Sequence, residues 1–166
     1  MQAVTILGSN QGDKYRILRQ AVSILAAEAG RVTGKSSLYE TAPWGFESNE
    51  NFLNQVVLFE TTLSPGHFLD CCLQTEARLG RIRTQDGPRY ASRPIDIDLL
   101  FYDSLIIETP ELQIPHPRLS ERNFVLVPLT EVMPGFMHPV LKKTIARLLA
   151  ECPDTCAVHP IQEENL

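Results

Sequence analysis

Arg81-Ile-Arg-Thr-Gln-Asp-Gly-Pro-Arg-Tyr-Ala-Ser-Arg-Pro-Ile-Asp-Ile-Asp-Leu-Leu-Phe101 is the stretch on which this chain turns. Its second half alternates with the period of a strand. Ile95, Ile97, Leu99 and Phe101 fall on one face. Asp96 and Asp98 fall on the other, about 7 Å apart at a rise of about 3.3 Å per residue. Two carboxylates that close repel unless a cation sits between them or one takes up a proton. Magnesium favours hard, anionic oxygen sites and draws its other ligands from phosphate. The first half supplies Arg81, Arg83, Arg89 and Arg93, whose guanidinium forks match phosphate oxygens. The pattern predicts a polyphosphate held between metal and arginine. A solvated acidic edge strand after a basic loop is the alternative.

The rest of the composition frames that patch. A chain of 166 residues, 43% hydrophobic and 21% charged, suits one globular domain with a real core. Its net charge of −5 argues against a general binder of nucleic acid or membrane surface. The arginine loop is a local positive patch on an acidic protein, which fits a small anionic ligand. The residues from Met1 to Leu7 lack a basic n-region, and no apolar run reaches membrane-spanning length. Cys71 and Cys72 are adjacent, and Cys152-x-x-x-Cys156 has no second ligand pair at zinc spacing. All four read as reduced thiols, with cytoplasmic residence expected.

Upstream, Gln2 to Leu7 reads as a strand running into Gly8-Ser9-Asn10-Gln11-Gly12-Asp13, a tight turn with Asp13 as N-cap. A helix follows from Lys14 to Glu28, burying Ile17, Leu18, Ala21, Val22 and Leu25, and Gly30 stops it. Val32 to Thr41 reads as a strand. The loop from Ala42 to Asn51 carries Trp44 and Phe46, which either cap the core or form a lid over a flat ligand. Phe52 to Thr62 is a strand, with Asn54 on the face of Phe52, Val56 and Leu58. A buried amide there needs partners, from a heterocycle edge or from a neighbouring loop. Ser64 caps a helix that opens on Pro65 and runs to Leu79, with Leu69, Cys72, Leu73 and Glu76 on one stripe. Glu76 therefore faces inward, as a salt-bridge partner of the arginines or as a ligand-site carboxylate.

Downstream, Asp103-Ser104 reads as a hairpin turn. Ile114-Pro115-His116-Pro117 is a stiff connector. Ser120 is a candidate N-cap for the segment through Val127, and a short helix runs from Thr144 to Glu151. The expected organisation is a single domain over 1–166: a core to about 135, a helical extension over 140–152, and a loose tail over 153–166. The fold class is α+β. A ferredoxin-like βαββαβ core has an antiparallel sheet with helices on one face, plus a hairpin and C-terminal helices. The other face carries Asn54 and the aspartates.

Arg89-Tyr90-Ala91-Ser92-Arg93-Pro94-Ile95-Asp96-Ile97-Asp98 resembles the signature of the 6-hydroxymethyl-7,8-dihydropterin pyrophosphokinases. So do Gly8-Ser9-Asn10, the loop from Thr41 to Phe46, Phe52-Leu53-Asn54, Glu76 with Gly80-Arg81-x-Arg83, and Pro115-His116-Pro117 with Arg122-x-Phe124. These blocks stand in family order from residue 4 to about 135. The resemblance implies an ATP-dependent pyrophosphokinase of folate biosynthesis, with ATP and 6-hydroxymethyl-7,8-dihydropterin as substrates. It implies two Mg²⁺ ions on Asp96 and Asp98, with Arg83 and Arg93 joining them as catalytic residues. Glu76, Arg83, Arg89, Arg93, His116 and Arg122 would bind ATP. Gly8, Asn10, Thr41, Ala42, Trp44, Phe52, Asn54 and Phe124 would bind the pterin, Phe52 and Phe124 sandwiching its ring. The expected state is a monomer without nucleic-acid or membrane partners.

The chain departs from the commoner signature in having Ala91-Ser92, not Gly-Pro, before Arg93. Gly87-Pro88-Arg89 stands four residues upstream as a decoy. Leu73 stands where a glutamine is frequent. Two other classes also answer to the pattern. A ferredoxin-like RNA-binding module would use the arginine loop, against the acidic face. A metal-dependent phosphohydrolase would use the same aspartates without a pterin.

Overall fold

The computed structural model describes residues 1–87 and 91–162. Among the described residues, eight strands and four α-helices follow one another. They are β1 (Gln2–Ser9), α1 (Lys14–Glu28), β2 (Arg31–Lys35), β3 (Leu38–Thr41), β4 (Phe52–Glu60), α2 (Pro65–Arg78), β5 (Asp96–Tyr102), β6 (Ile107–Glu108), β7 (Gln113–Ile114), α3 (Asn123–Val132), α4 (Ile145–Ala150) and β8 (Val158–Ile161). The main sheet is antiparallel in the order β5-β1-β4-β3-β8, and β2 pairs with β4 beyond β3. Taking β2 and β3 as one interrupted strand gives the ferredoxin-like βαββαβ order. The small hairpin is β6 with β7, set beyond the Asp103-Ser104 turn. Among the described residues no helix is long and apolar enough to cross a membrane.

Local signals place α1 and α2. The Asp13 carboxylate accepts from the Arg16 N–H and the Ser64 hydroxyl from the His67 N–H, each satisfying a donor at a helix start. Both helices lie on one sheet face. Leu18, Ala21, Leu25, Phe68 and Cys72 pack there against Leu7, Val57, Phe59, Ile97 and Leu99. The buried stripe of α2 is Phe68, Cys72, Thr75 and Glu76. Leu73, expected on that stripe, is exposed.

On the opposite face, α3 and α4 cover Val4, Ile6, Val56, Leu58, Leu100 and Phe101. Phe101 was expected beside Leu99 but lies on the other side of the sheet. The reason is a β-bulge: Val4 opposes Phe101 while Thr5 opposes Leu99, so Leu100 is an extra residue. The bulge sends Leu100 and Phe101 to the α3 side and returns Tyr102 to the α1 side. The helix α3 starts at Asn123 behind a 3₁₀ turn over Leu119–Glu121, so Ser120 does not cap it. The strand expected over Val32–Thr41 breaks at Ser36-Ser37. There the Ser36 hydroxyl accepts the Val56 N–H at 3.0 Å, standing in for a ladder carbonyl. The expected loose tail includes β8, which pairs with β3 at the sheet edge; residues 163–166 lie outside the described ones.

The same break ties α3 to the sheet. The Glu131 carboxylate accepts from the Ser37 N–H, the Ser37 hydroxyl (2.9 Å each) and the Tyr39 hydroxyl (2.6 Å). Burial raises this carboxyl, but those hydrogen bonds outweigh it and hold it below the usual range. Replacing Glu131 with Ala should cost about 1 kcal/mol, discounted because the group is exposed. A carboxyl with a depressed folded pKa adds stability above its unfolded value, about 4.3. That stability is lost as pH falls through the folded pKa. Urea midpoints should thus separate wild type from Glu131→Ala at pH 7 and converge below about pH 4. A constant gap across that range would show that the carboxylate's charge is irrelevant.

Candidate active site

The helices α3 and α4 leave one end of the second sheet face open. Three strands set its floor. Gly8 on β1 lies opposite Asn54 on β4 and opposite Asp96 on β5. Strands are about 4.8 Å apart, so the amide and the acid stand about 10 Å apart with a glycine between them. A Cβ on Gly8 would come within 2.8 Å of Asn54 Oδ1, so the missing side chain is what keeps this floor clear. One row further on, Asp98 lies opposite Ile6. Above the floor is a cleft of about 500 Å³ of empty space. Thr41, Ala42, Trp44, Phe46, Phe52, Arg93, Asp96, Asp98, Arg122 and Phe124 wall it.

The amide end has defined polarity. Asn54 is buried and donates through Nδ2 to the Thr41 hydroxyl at 2.8 Å. Phe52 meets Phe46 edge-on at 6.1 Å between ring centres. The Arg122 guanidinium lies 4.6 Å from the centre of the Trp44 ring and 5.7 Å from that of Phe124.

The acidic end is an ion-pair network. Asp96 pairs with Arg81 and, at 2.7 Å, with Arg93. Glu76 is almost wholly buried. It pairs with Arg81 at 2.9 Å and Arg83 at 2.6 Å, and accepts the Ile97 N–H at 2.8 Å. Burial pushes Asp96 up, but Arg93 and Arg81 together hold it below the usual carboxylate range. Burial leaves Glu76 raised despite its two arginines. Burial and then the Asp96 charge push Asp98 up to about 7, against the pull of Arg122 and Arg93. His116 Nδ1 accepts the Arg118 N–H, and its Nε2 sits 4.0 Å from Asp98 Oδ2.

The expected site residues therefore converge in the main. Gly8, Thr41, Ala42, Trp44, Phe52, Asn54, Arg93, Asp96, Asp98, Arg122 and Phe124 share one cleft, and His116 stands behind Asp98. Arg83 does not line it. Together with Arg81 and Arg93 it lines an adjoining hollow, so Arg93 is the wall common to both. Glu76 anchors this network from beneath. Asn10 is fully buried and outside the cleft lining, bonded instead to Ser92 and Arg93. Arg89 lies outside the described residues. Sequence reasoning gave no individual role to Arg81, which joins Glu76 to Asp96, or to Ile6, which lines the cleft; Phe46, offered as core cap or lid, lines the cleft. The signal for Arg81 was its place directly after α2, within reach of Glu76.

A ferredoxin-like domain with an acid pair, an arginine wall and an aromatic, amide-floored cleft defines a class of nucleotide-dependent group-transfer proteins. The family model for 7,8-dihydro-6-hydroxymethylpterin-pyrophosphokinase matches residues 4–134, and the chain belongs to that family. The 2-amino-4-hydroxy-6-hydroxymethyldihydropteridine pyrophosphokinase of Methylorubrum extorquens is 46% identical over 145 residues, covering 86% of this chain and 90% of that protein. The enzyme of the same name from Porphyromonas gingivalis is 42% identical over 134 residues, covering 80% and 90%. A crystal structure of Plasmodium falciparum HPPK-DHPS superposes with a TM-score of 0.73 at 19% identity. It is matched over 90% of this chain but 44% of its own length, and at that identity the likeness carries the fold alone.

Proposed function

We propose that the protein transfers the pyrophosphoryl group of ATP to 6-hydroxymethyl-7,8-dihydropterin, giving the pterin pyrophosphate and AMP, in folate biosynthesis. The observation that carries this reading is the Asn54–Gly8–Asp96 row. It holds a heterocycle-binding amide and a phosphate-side acid one small-molecule length apart. The pterin edge would meet Asn54 and Thr41, beside Gly8 and Ala42, and its ring would lie among Phe52, Trp44 and Phe124. Arg83, Arg89, Arg93, His116 and Arg122 would take the nucleotide, with Glu76 fixing Arg81 and Arg83 in place.

The donor set suits Mg²⁺. Asp98 is a carboxyl pushed up to about 7 beside a second carboxylate, the mark of a site short of positive charge. Asp96 and Asp98 would hold two ions, which when bound screen charge on the phosphate oxygens. In the reaction the hydroxymethyl oxygen bonds to the β-phosphorus, the bond from that phosphorus to the α–β bridging oxygen breaks, and AMP leaves with the electron pair. The hydroxyl proton would pass to Asp96 and from there to solvent. Arg93 spans the two ligand regions, bonded to Asp96 and stacked 5.7 Å from Phe52, and so aligns donor and acceptor. The loops over 42–51 and 81–94 would exclude water, protecting ATP from hydrolysis. Cytoplasmic residence and a monomeric state complete the reading.

The test is to mix protein, ATP, Mg²⁺ and the pterin and to follow AMP. AMP should accumulate only when the pterin is present. ADP or phosphate released without pterin would favour a phosphohydrolase and overturn the assignment. Family membership leaves neither that class nor an RNA-binding module with an observation in its favour.

A further inference from the structure

The family model ends at residue 134, yet the chain beyond α4 comes back to two of the elements that wall the cleft. The first is the start of α3. Arg122 holds the N-cap position there with extended backbone, and a guanidinium has no acceptor to offer the helix. The first N–H groups of a helix have no partner within it. The acceptor for Asn123 comes from 31 residues further on: Asp154 Oδ2 accepts the Asn123 N–H at 2.9 Å. Asp154 Oδ1 accepts the Cys156 N–H, also at 2.9 Å, which fixes the carboxylate in its own turn. Asn123 Nδ2 donates in return to the Cys156 carbonyl at 3.2 Å. Burial raises the Asp154 carboxyl, but the N–H groups of Cys156 and Asn123 outweigh it and hold it below the usual range.

The second element is the end of β3. After Cys156 the chain reaches Val158, which opens β8 opposite Thr41. The Thr41 hydroxyl accepts the Asn54 amide, and Ala42 and Trp44 follow it into the cleft wall. Asn123, at the other contact, stands between Arg122 and Phe124, which belong to the same wall. The Arg122 guanidinium in turn lies over the Trp44 ring. The segment over 154–158 thus straps the element carrying Arg122 and Phe124 to the one carrying Thr41. None of its residues is among the described residues lining the cleft.

We propose that Asp154 is a positioning residue: through the Asn123 N–H it fixes Arg122 and Phe124 relative to β3, and so presets the gap that receives a flat heterocycle. On the reading above that heterocycle is the pterin, and the inference rests on that reading. Without the cap the first turn of α3 frays, and the ligand must reorder it on binding, which weakens affinity.

The experiment measures steady-state kinetics and, separately, acrylamide quenching of tryptophan emission in the unliganded protein. Asp154→Ala should raise the KM for 6-hydroxymethyl-7,8-dihydropterin about fivefold, the size of one N-cap contact, with kcat close to that of wild type. Asp154→Asn keeps a carboxamide oxygen for the Asn123 N–H and should stay nearer wild type than alanine does. Asn123→Ala removes the return bond to Cys156 and leaves the carboxylate. It should raise the pterin KM in the same sense, and it carries the test should Asp154→Ala fail to fold. Trp44 is the only tryptophan, so the emission reads its stack with Arg122 directly. Quenching should increase in Asp154→Ala. A lower kcat with an unchanged pterin KM is what a merely structural role would give, and it overturns the proposal. So does unchanged quenching. If wild type forms no pterin-dependent AMP, the proposed reaction falls, while increased quenching would still establish the strap.

Discussion

Asp98→Asn should cut pyrophosphoryl transfer by about 10³-fold and, at pH 7, raise the melting temperature of the unliganded protein. The first effect follows from the loss of a carboxylate proposed to hold metal at the phosphates. Charge stabilisation there is worth several kcal/mol, and each 1.36 kcal/mol is about tenfold in rate. The second effect follows from the carboxyl's position. Its folded pKa, pushed up to about 7, lies above its unfolded value near 3.9. An ionised Asp98 therefore costs stability, and the cost grows from about pH 4 to about pH 7. A third of the side chain remains accessible, so solvent softens this cost, and the direction is what the experiment reads. Steady-state kinetics paired with thermal melts at pH 4 and pH 7 test both effects. Near-normal turnover would sink the metal assignment. A lower melting point at pH 7 would mean that the Asp98 charge helps to build the fold.

Glu76→Ala is expected to do the greatest damage to the fold, about 3 kcal/mol or more. The carboxylate is 1% exposed and serves three donors at once: Arg81, Arg83 and the Ile97 N–H at the start of β5. Alanine would leave that N–H buried without its acceptor, and Arg81 with Asp96 as its remaining carboxylate. Glu76→Gln keeps an acceptor for Ile97 and sheds a charge that burial already disfavours. Its cost should be less than half that of alanine in urea unfolding. Equal costs for the two variants would shift the weight from hydrogen bonding to charge.

These two acids show how unevenly the chain discloses itself. Asp96 and Asp98 were legible because strand alternation is local, and two residues apart means one face. The starts of α1 and α2 were legible for the same reason, since Asp13 and Ser64 cap donors only three residues away. Phe101 was not, because the bulge at Leu100 arises from pairing with β1, about a hundred residues earlier. The break at Ser36-Ser37 depends on Val56 and Glu131, and the edge strand β8 depends on β3. Leu73 was expected on the buried stripe of α2, but Thr75 is buried there, its hydroxyl bonded back to the Cys71 carbonyl. In the site, residue types foretold the geometry of the amide end better than that of the arginine end. Asn54 and Thr41 are neighbours across one strand pair. The four arginines offered several ways to meet three carboxylates, and among the described ones Arg81 is the one that took two of them.

The strand β1 also settles where this domain can be joined to something else. Gln2 begins it and Gly8 lies one residue from its end, about 20 Å away at the rise of a strand. The amino terminus is held at the far rim by the Thr61 carbonyl. A linker, an affinity tag or a whole neighbouring protein attached ahead of Met1 would emerge at the rim opposite the cleft mouth. Substrates could still diffuse in past it, and the domain could work as one bead on a longer string.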